Sequence, residues 1–240
     1  NKIINKFYFY KKKYKKIKKN LNLIIDKNIV YVADNIGYLY AIDLTNDKYL
    51  WAKNYKIPFR SNLKVFDDKL ITSNQDNILY FFDKKNGEVL KSIPTEESLV
   101  KNQFKNNISL NKESIFFINT YGSIYSINKK KMRIKWFVNL NQSLELNTAN
   151  LFSGTEIVNY DDKLIISSNE FLYFIDINSG AILYKKRIIL DLKPIISNNY
   201  GFFVSKNNLL ISIDLRNGKI LYSYNINQQI AEFLNIEKKR

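Results

Sequence analysis

One pattern recurs five times along the chain: an apolar strand, a tight turn, a second apolar strand, a polar turn and a third strand. The second strands read Tyr38-Leu-Tyr-Ala-Ile-Asp43, Ile78-Leu-Tyr-Phe-Phe-Asp83, Ser123-Ile-Tyr-Ser-Ile-Asn128, Phe171-Leu-Tyr-Phe-Ile-Asp176 and Leu209-Leu-Ile-Ser-Ile-Asp214. Their closing acid or amide falls at 43, 83, 128, 176 and 214, so successive copies lie 40, 45, 48 and 38 residues apart. A multi-strand unit of roughly 40–50 residues is the period of a propeller blade. Sandwiches and barrels also have many short strands, but neither requires one turn signature at that interval. A fourth strand fits ahead of the unit, as at Leu21–Ile25, Asn62–Phe66 and Glu156–Tyr160. The expectation is therefore an all-β fold, a β-propeller of four-stranded antiparallel blades over 21–227. The blades fall at about 21–56, 61–94, 104–140, 155–190 and 192–227, five of a seven- or eight-bladed ring.

Each closing residue begins a turn. Asp83–Gly87, Asp176–Gly180 and Asp214–Gly218 share the form D-x-x-[NS]-G, and Asp43 and Asn128 open the other two copies. An Asp carboxylate accepts from backbone amides just ahead, and Gly supplies a positive φ without steric cost. Asp47 and Met132 replace that Gly in the first and third copies, which predicts longer or differently wound turns there. Eight residues past the anchors stand Trp51, Lys91, Trp136, Tyr184 and Tyr222, four of them large aromatics.

Composition agrees with the strands: 45% of residues are apolar and 15% aromatic, suited to pleated, packed surfaces. The net charge of +16 would ordinarily point to nucleic acid or an acidic membrane surface. However, 33 Lys, 33 Asn and 34 Ile stand against 6 Ala and 5 Arg, the usage that G- and C-poor coding DNA produces. The chain has no cysteine and no histidine, which removes disulfides, Cys-based metal sites and the commonest general base. No apolar run approaches the roughly 20 residues that span a bilayer. The first residue is Asn, so the start reads as processed or truncated. Peripheral or lipid-anchored membrane association through a preceding segment stays open.

The order G-x-[LI]-Y-[AS]-[ID], then D-x-x-[NS]-G-x-[IV]-L, then an aromatic resembles the PQQ-like (quinoprotein-type) propeller repeat, over roughly residues 21–227. Gly37 to Trp51 is its best copy. In such repeats the Trp at the place of Trp51 and Trp136 docks between neighbouring blades. The resemblance thus implies blade-docking roles for Trp51, Trp136, Tyr184 and Tyr222, from which Lys91 departs. The small blades and the run Ile57-Pro-Phe-Arg-Ser61 make the chain most similar to the BamB family of outer-membrane barrel-assembly lipoproteins. That resemblance implies a non-catalytic scaffold on the periplasmic face of the outer membrane, with the barrel-assembly core subunit as its protein partner. The lipid-bearing Cys of such a lipoprotein is not in this sequence.

Chemistry is sparse elsewhere. PQQ-dependent dehydrogenases use adjacent cysteines and a Ca²⁺ site, so no cofactor and no catalytic or metal-binding residue is expected here. A quinoprotein dehydrogenase fragment and a sensing domain of a larger envelope protein stand as alternatives. Asp67-Asp68 and Asp161-Asp162 occupy one repeat position before a strand and read as turns, and Glu96-Glu97 as a solvated loop. Phe59 and Arg60 pair an aromatic with an arginine, as protein interfaces do, and are the candidate partner contacts. The run Lys11–Lys19 holds seven Lys in nine residues. It reads first as a lysine-protected outer strand of a preceding blade, spanning 1–20, with lipid headgroup contact open and nucleic acid not expected. Residues 228–240 are expected to lead to a next blade or a ring closure.

Overall fold

Strands apolar on both faces can bury both, and within each compact unit neighbouring sheets pack face to face. In a computed structural model of the chain, residues 6–7, 9–97, 105–141, 152, 156–168 and 170–237 are described. They form five four-stranded antiparallel sheets, each a meander of consecutive strands. Residues 104 and 155, which open two of the expected blades, lie outside the described residues, as do 1–5, 8 and 238–240. The chain divides into two compact units, Asn1–Leu151 and Phe152–Arg240.

The first unit holds three blades. The first is β1 (Leu21–Asp26), β2 (Ile29–Asp34), β3 (Tyr38–Asp43) and β4 (Lys48–Asn54). The second is β5 (Lys64–Phe66), β6 (Lys69–Ser73), β7 (Leu79–Asp83) and β8 (Val89–Ile93). The third is β9 (Asn107–Leu110), β10 (Ser114–Ile118), β11 (Ser123–Asn128) and β12 (Arg133–Asn139). The first strands β1, β5 and β9 approach one another, so they are the inner strands of this unit. The core lies between blades. Tyr31, Leu39 and Trp51 of the first blade meet Leu70 and Phe82 of the second and Phe59 of the segment between them. On the other face of the second blade, Ile71, Leu79 and Phe81 meet Ile115, Phe117 and Ile127 of the third. Neighbours such as Leu70 and Ile71, or Phe81 and Phe82, thus serve opposite interfaces, as the two-residue period of a strand requires.

The second unit holds β13 (Val158–Tyr160), β14 (Lys163–Ser167), β15 (Leu172–Asp176) and β16 (Ile182–Lys186), then β17 (Ile195–Ser197), β18 (Tyr200–Val204), β19 (Leu209–Asp214) and β20 (Lys219–Asn225). Ile165, Leu172 and Phe174 pack against Phe203, Ile211 and Leu215 in the same manner.

The anchor turns are alike in all five blades. Gly87, Gly180 and Gly218 have φ of 73°, 78° and 72°, and Asp47 and Met132 both adopt 49°. The amide of Met132 donates to the Asn128 carbonyl at 2.8 Å, as the Gly87 amide does to Asp83. The expectation of longer or differently wound turns in the first and third copies is therefore corrected. The strand pairing imposes the left-handed residue, and Asp and Met accept it. Just beyond, every blade carries a one-residue bulge in its outer strand, at 50, 90, 135, 183 or 221. The bulge turns the next residue, at position 51, 91, 136, 184 or 222, relative to the regular alternation.

The anchor carboxylates accept from their own turns: Asp43 from the amide of Thr45 at 2.8 Å, Asp176 from Ser179 at 2.7 Å, and Asp214 from both the Arg216 amide and its guanidinium. Hydrogen bonds to the charged form hold all three below the usual carboxylate range, Asp214 at about 2. A carboxylate whose folded pKa is depressed contributes stability present above its unfolded pKa of about 3.9 and lost as pH falls through the folded value. Acid unfolding is expected to steepen between about pH 4 and pH 2, and Asp214→Asn to lose part of that slope. Denaturant midpoints recorded at several pH values check this.

The N-terminal segment differs from expectation. Among the described residues of 6–20 there is no strand: Lys12–Tyr14 is a single 3-10 turn. The lysines come in unbroken runs rather than alternating, and Phe9, Tyr10 and Tyr14 pack on Tyr38 and Tyr40 of the first blade. At the other end, Ile226–Glu237 is an α-helix, α1. Ile226, Ile230, Phe233 and Leu234 recur at helical spacing, and Asn225 accepts from the Gln228 amide at 3.2 Å as a cap.

Candidate functional site

The segment Ile57–Ser61 crosses from the first blade to the second and is held by backbone on both sides. The Phe59 amide donates to the Asp34 carbonyl and the Arg60 amide to Ser73, while the Asn106 amide donates to the Arg60 carbonyl at 2.9 Å. Phe59 is 2% exposed and packs between Tyr55 and Phe82. The expectation that Phe59 meets a partner is therefore corrected: it is an inter-blade core residue, and its ring fixes the segment from below.

Arg60 is different. Its side chain is half-buried at a cavity of about 220 Å³ lined by Asn20, Asn22, Asn35, Phe59, Arg60 and Lys105. Among the described residues it has no carboxylate partner, and its Nε is buried without a hydrogen bond. Burial pulls its pKa below the ordinary arginine value. A partly desolvated guanidinium beside a lysine and three amides is a receptor for a carboxylate or another anion.

Behind Arg60 lies a buried network of neutral polar side chains. Asn106 donates through Nδ2 to Ser73 Oγ and to Asn77 Oδ1, both at 3.1 Å. Asn77 donates to Thr120 Oγ1 and to the Glu96 carbonyl, both at 3.0 Å. Ser61 Oγ lies 3.0 Å from Thr72 Oγ1 and accepts from the Ser73 amide at 2.8 Å. Glu96 is exposed, as a solvated loop requires, yet it accepts from Asn119 at 2.8 Å and from Tyr125 at 3.3 Å. Burial first and the Glu96 charge second push the Tyr125 hydroxyl up to about 12. Unpartnered buried atoms at Arg60, Asn74 and Asn106 gather in this one network.

Sequence reading missed the residues that shape the rim. Asp34 ends the second strand of its blade and Asn74 and Asn119 directly follow theirs, and each accepts from two amides of the turn that follows, at 2.8–3.1 Å. Three residues on, Gly37, Asn77 and Gly122 take positive φ. The signal was present as a short polar residue nine positions before each anchor, with Ser205 at the same place in the last blade.

The aromatics eight past the anchors sit on neighbouring turns wherever both blades belong to one unit. Trp51 lies over Gly87, and its Nε1 donates to the Lys84 carbonyl at 3.1 Å. Tyr184 lies over Gly218, and its hydroxyl donates to the Leu215 carbonyl at 3.0 Å. Lys91, the non-aromatic member, belongs to the blade ahead of the turn that carries Met132, which packs into the core between the second and third blades. Trp136 meets Phe116 of its own blade at 6.2 Å, and Tyr222 meets Tyr224 at 5.0 Å. Among the described residues no three acidic side chains converge where a metal ion would sit. No described helix is long and apolar enough to cross a membrane.

Antiparallel four-stranded blades, packed face to face through large apolar residues and repeated at a blade-like period, define a β-propeller of the PQQ-like class. The family described as outer membrane protein assembly factor BamB matches residues 16–224, and the chain belongs to it. Among solved structures, BamB from Moraxella catarrhalis superposes with a TM-score of 0.72 at 13% identity, over 85% of this chain and 63% of that one. The computationally designed Ika8 protein superposes at 0.65 with 12% identity, over 85% and 61%. This chain thus spans less than two thirds of either. No curated protein sequence matches it.

Proposed function

We propose that this chain is a non-catalytic propeller scaffold of the bacterial cell envelope that binds a protein partner, the core subunit of the outer-membrane barrel-assembly machinery. On this reading it works at the periplasmic face of the outer membrane and needs no cofactor. The observation that carries it is Arg60, half-buried and unneutralised among the described residues, on a segment pinned by backbone bonds and by the Phe59 ring. Such an anchor costs little backbone entropy to place, and a half-buried arginine that meets an acidic partner group is the kind of residue that dominates interface energies. Membership of the BamB family supports the choice of partner. The acidic groups described here serve turns and the blade network, which supports a role without bond chemistry.

The test is a pull-down from native envelope extract with the full reading frame tagged at its C-terminus. Retention of the barrel-assembly core subunit is expected. Arg60→Ala is expected to weaken binding by about 10–100-fold in Kd, as loss of a central arginine does, with an unchanged unfolding midpoint. If the folded protein never retains that subunit, the barrel-assembly reading fails.

A further inference from the structure

The run Lys11–Lys19 is held as a projecting loop on the first blade. The Phe9 ring lies 4.6 Å from Tyr40 and the Tyr10 ring 4.8 Å from Tyr38. The Tyr10 hydroxyl donates to Asp34 at 2.7 Å. Lys19 closes the loop from inside, donating to the Tyr14 carbonyl at 2.7 Å and the Lys15 carbonyl at 3.0 Å while lying over the Tyr10 ring. This arrangement leaves Lys11, Lys12, Lys13, Lys15, Lys16 and Lys18 exposed, and among the described residues none of them is in an ion pair. Ile17 stands in the middle of this charge, 47% exposed. Lys11 and Lys13 also line a cavity of about 330 Å³ with Tyr14, Asn54 and Lys56.

We propose that this loop docks the protein on a bilayer surface rich in anionic phospholipid. The lysines meet headgroup phosphates, Ile17 enters the interface, and the cavity beside Lys11, Lys13 and Lys56 receives one headgroup. Juxtamembrane lysine clusters gain affinity in this way, with a reach set by the Debye length. Charge alone would also suit nucleic acid. Single-stranded binding sites, however, add free aromatic faces on which bases stack, and here Phe9, Tyr10 and Tyr14 are already packed against the blade. An exposed Ile among the lysines fits hydrocarbon, not a base.

The experiment is co-sedimentation of the whole chain with vesicles of phosphatidylcholine alone, or with about 30 mol% phosphatidylglycerol. Binding is expected only to the anionic vesicles, falling at least about tenfold between roughly 50 and 300 mM salt. Joint reversal of Lys12, Lys13, Lys15 and Lys16 to Glu should lower the partition coefficient about 100-fold or more, and Ile17→Asp about tenfold. Lys130→Glu with Lys131→Glu, on an exposed turn of the third blade, should change it less than about twofold. All these side chains are exposed, so unfolding midpoints should stay in place. Equal binding to neutral vesicles, no binding at low salt, or indifference to the reversal overturns the proposal. So does displacement from vesicles by a short single-stranded oligonucleotide at a lower phosphate concentration than soluble phosphatidylglycerol requires. The partner pull-down does not enter any of these outcomes.

Discussion

Trp51→Ala is expected to lower the unfolding free energy by about 3–5 kcal/mol, while Lys91→Ala, at the same repeat position, changes it by less than about 1. The indole is 9% exposed, sits in the core between the first and second blades and donates its N–H to the Lys84 carbonyl. Truncation therefore leaves both a cavity and an unpaired buried acceptor. The companion substitution is Gly87→Ala. A Cβ there would lie 2.5 Å from the Trp51 ring, and the residue has φ 73°. With Trp51 present, displacement of a packed ring adds to the left-handed strain, for about 2–4 kcal/mol in total. With Trp51→Ala the ring is gone and about 1 kcal/mol of backbone strain is left. The two changes should thus be far from additive, a coupling that urea midpoints of the four proteins measure. Equal cost of Gly87→Ala in both backgrounds would mean that the indole does not rest on the turn. Tyr184 over Gly218, where an added Cβ would lie 2.6 Å from the ring, is the same arrangement in the second unit and should repeat the result.

That pairing shows why much of the fold was legible. Where an aromatic and a glycine meet across an interface, both stand at fixed places in the repeat, and Asp83, Gly87 and Trp51 carry their own geometry in their residue types. The turns at Asp47 and Met132 were less legible because the left-handed conformation is set there by strand pairing, which no local residue preference announces. Phe59 misled for a related reason. An aromatic beside an arginine suits an interface or a core equally, and only the packing of Tyr55 and Phe82 around it decides. The N-terminal basic segment was misread on period. Lys11–Lys19 lacks the alternation of a strand, and Ile226 to Leu234 repeats at helical spacing. The polar network behind Arg60 was not legible at all, since Asn is so common in this chain that Asn77 and Asn106 stand out only once their neighbours are known.

Asn77→Ala should cost about 2–4 kcal/mol and weaken the proposed partner binding along with stability, although residue 77 is buried away from the surface. Asn77 is fully buried and spends both ends of its amide: Nδ2 on Thr120 and the Glu96 carbonyl, Oδ1 on Asn106 and Thr120. Truncation strands these partners in a region that already holds unpaired atoms at Asn74 and Asn106. Two causes compete, because Asn77 also has φ 62° and Ala tolerates that conformation less well than Asn. Asn77→Gly separates them. Glycine removes the strain but restores no hydrogen bond, so a loss of about 2 kcal/mol should persist if the network matters, and vanish if the backbone was the whole cost. The link to binding runs through Asn106, whose amide holds the Arg60 carbonyl at 2.9 Å. Once the Asn106 side chain loses its Asn77 contact, one of the backbone hydrogen bonds that hold the Arg60 segment loses its backing. Affinity of the Gly variant should then fall about tenfold, with Arg60 itself intact. A Gly variant that is destabilised yet binds with full affinity would separate the network from the site and leave it a purely structural feature of the second and third blades.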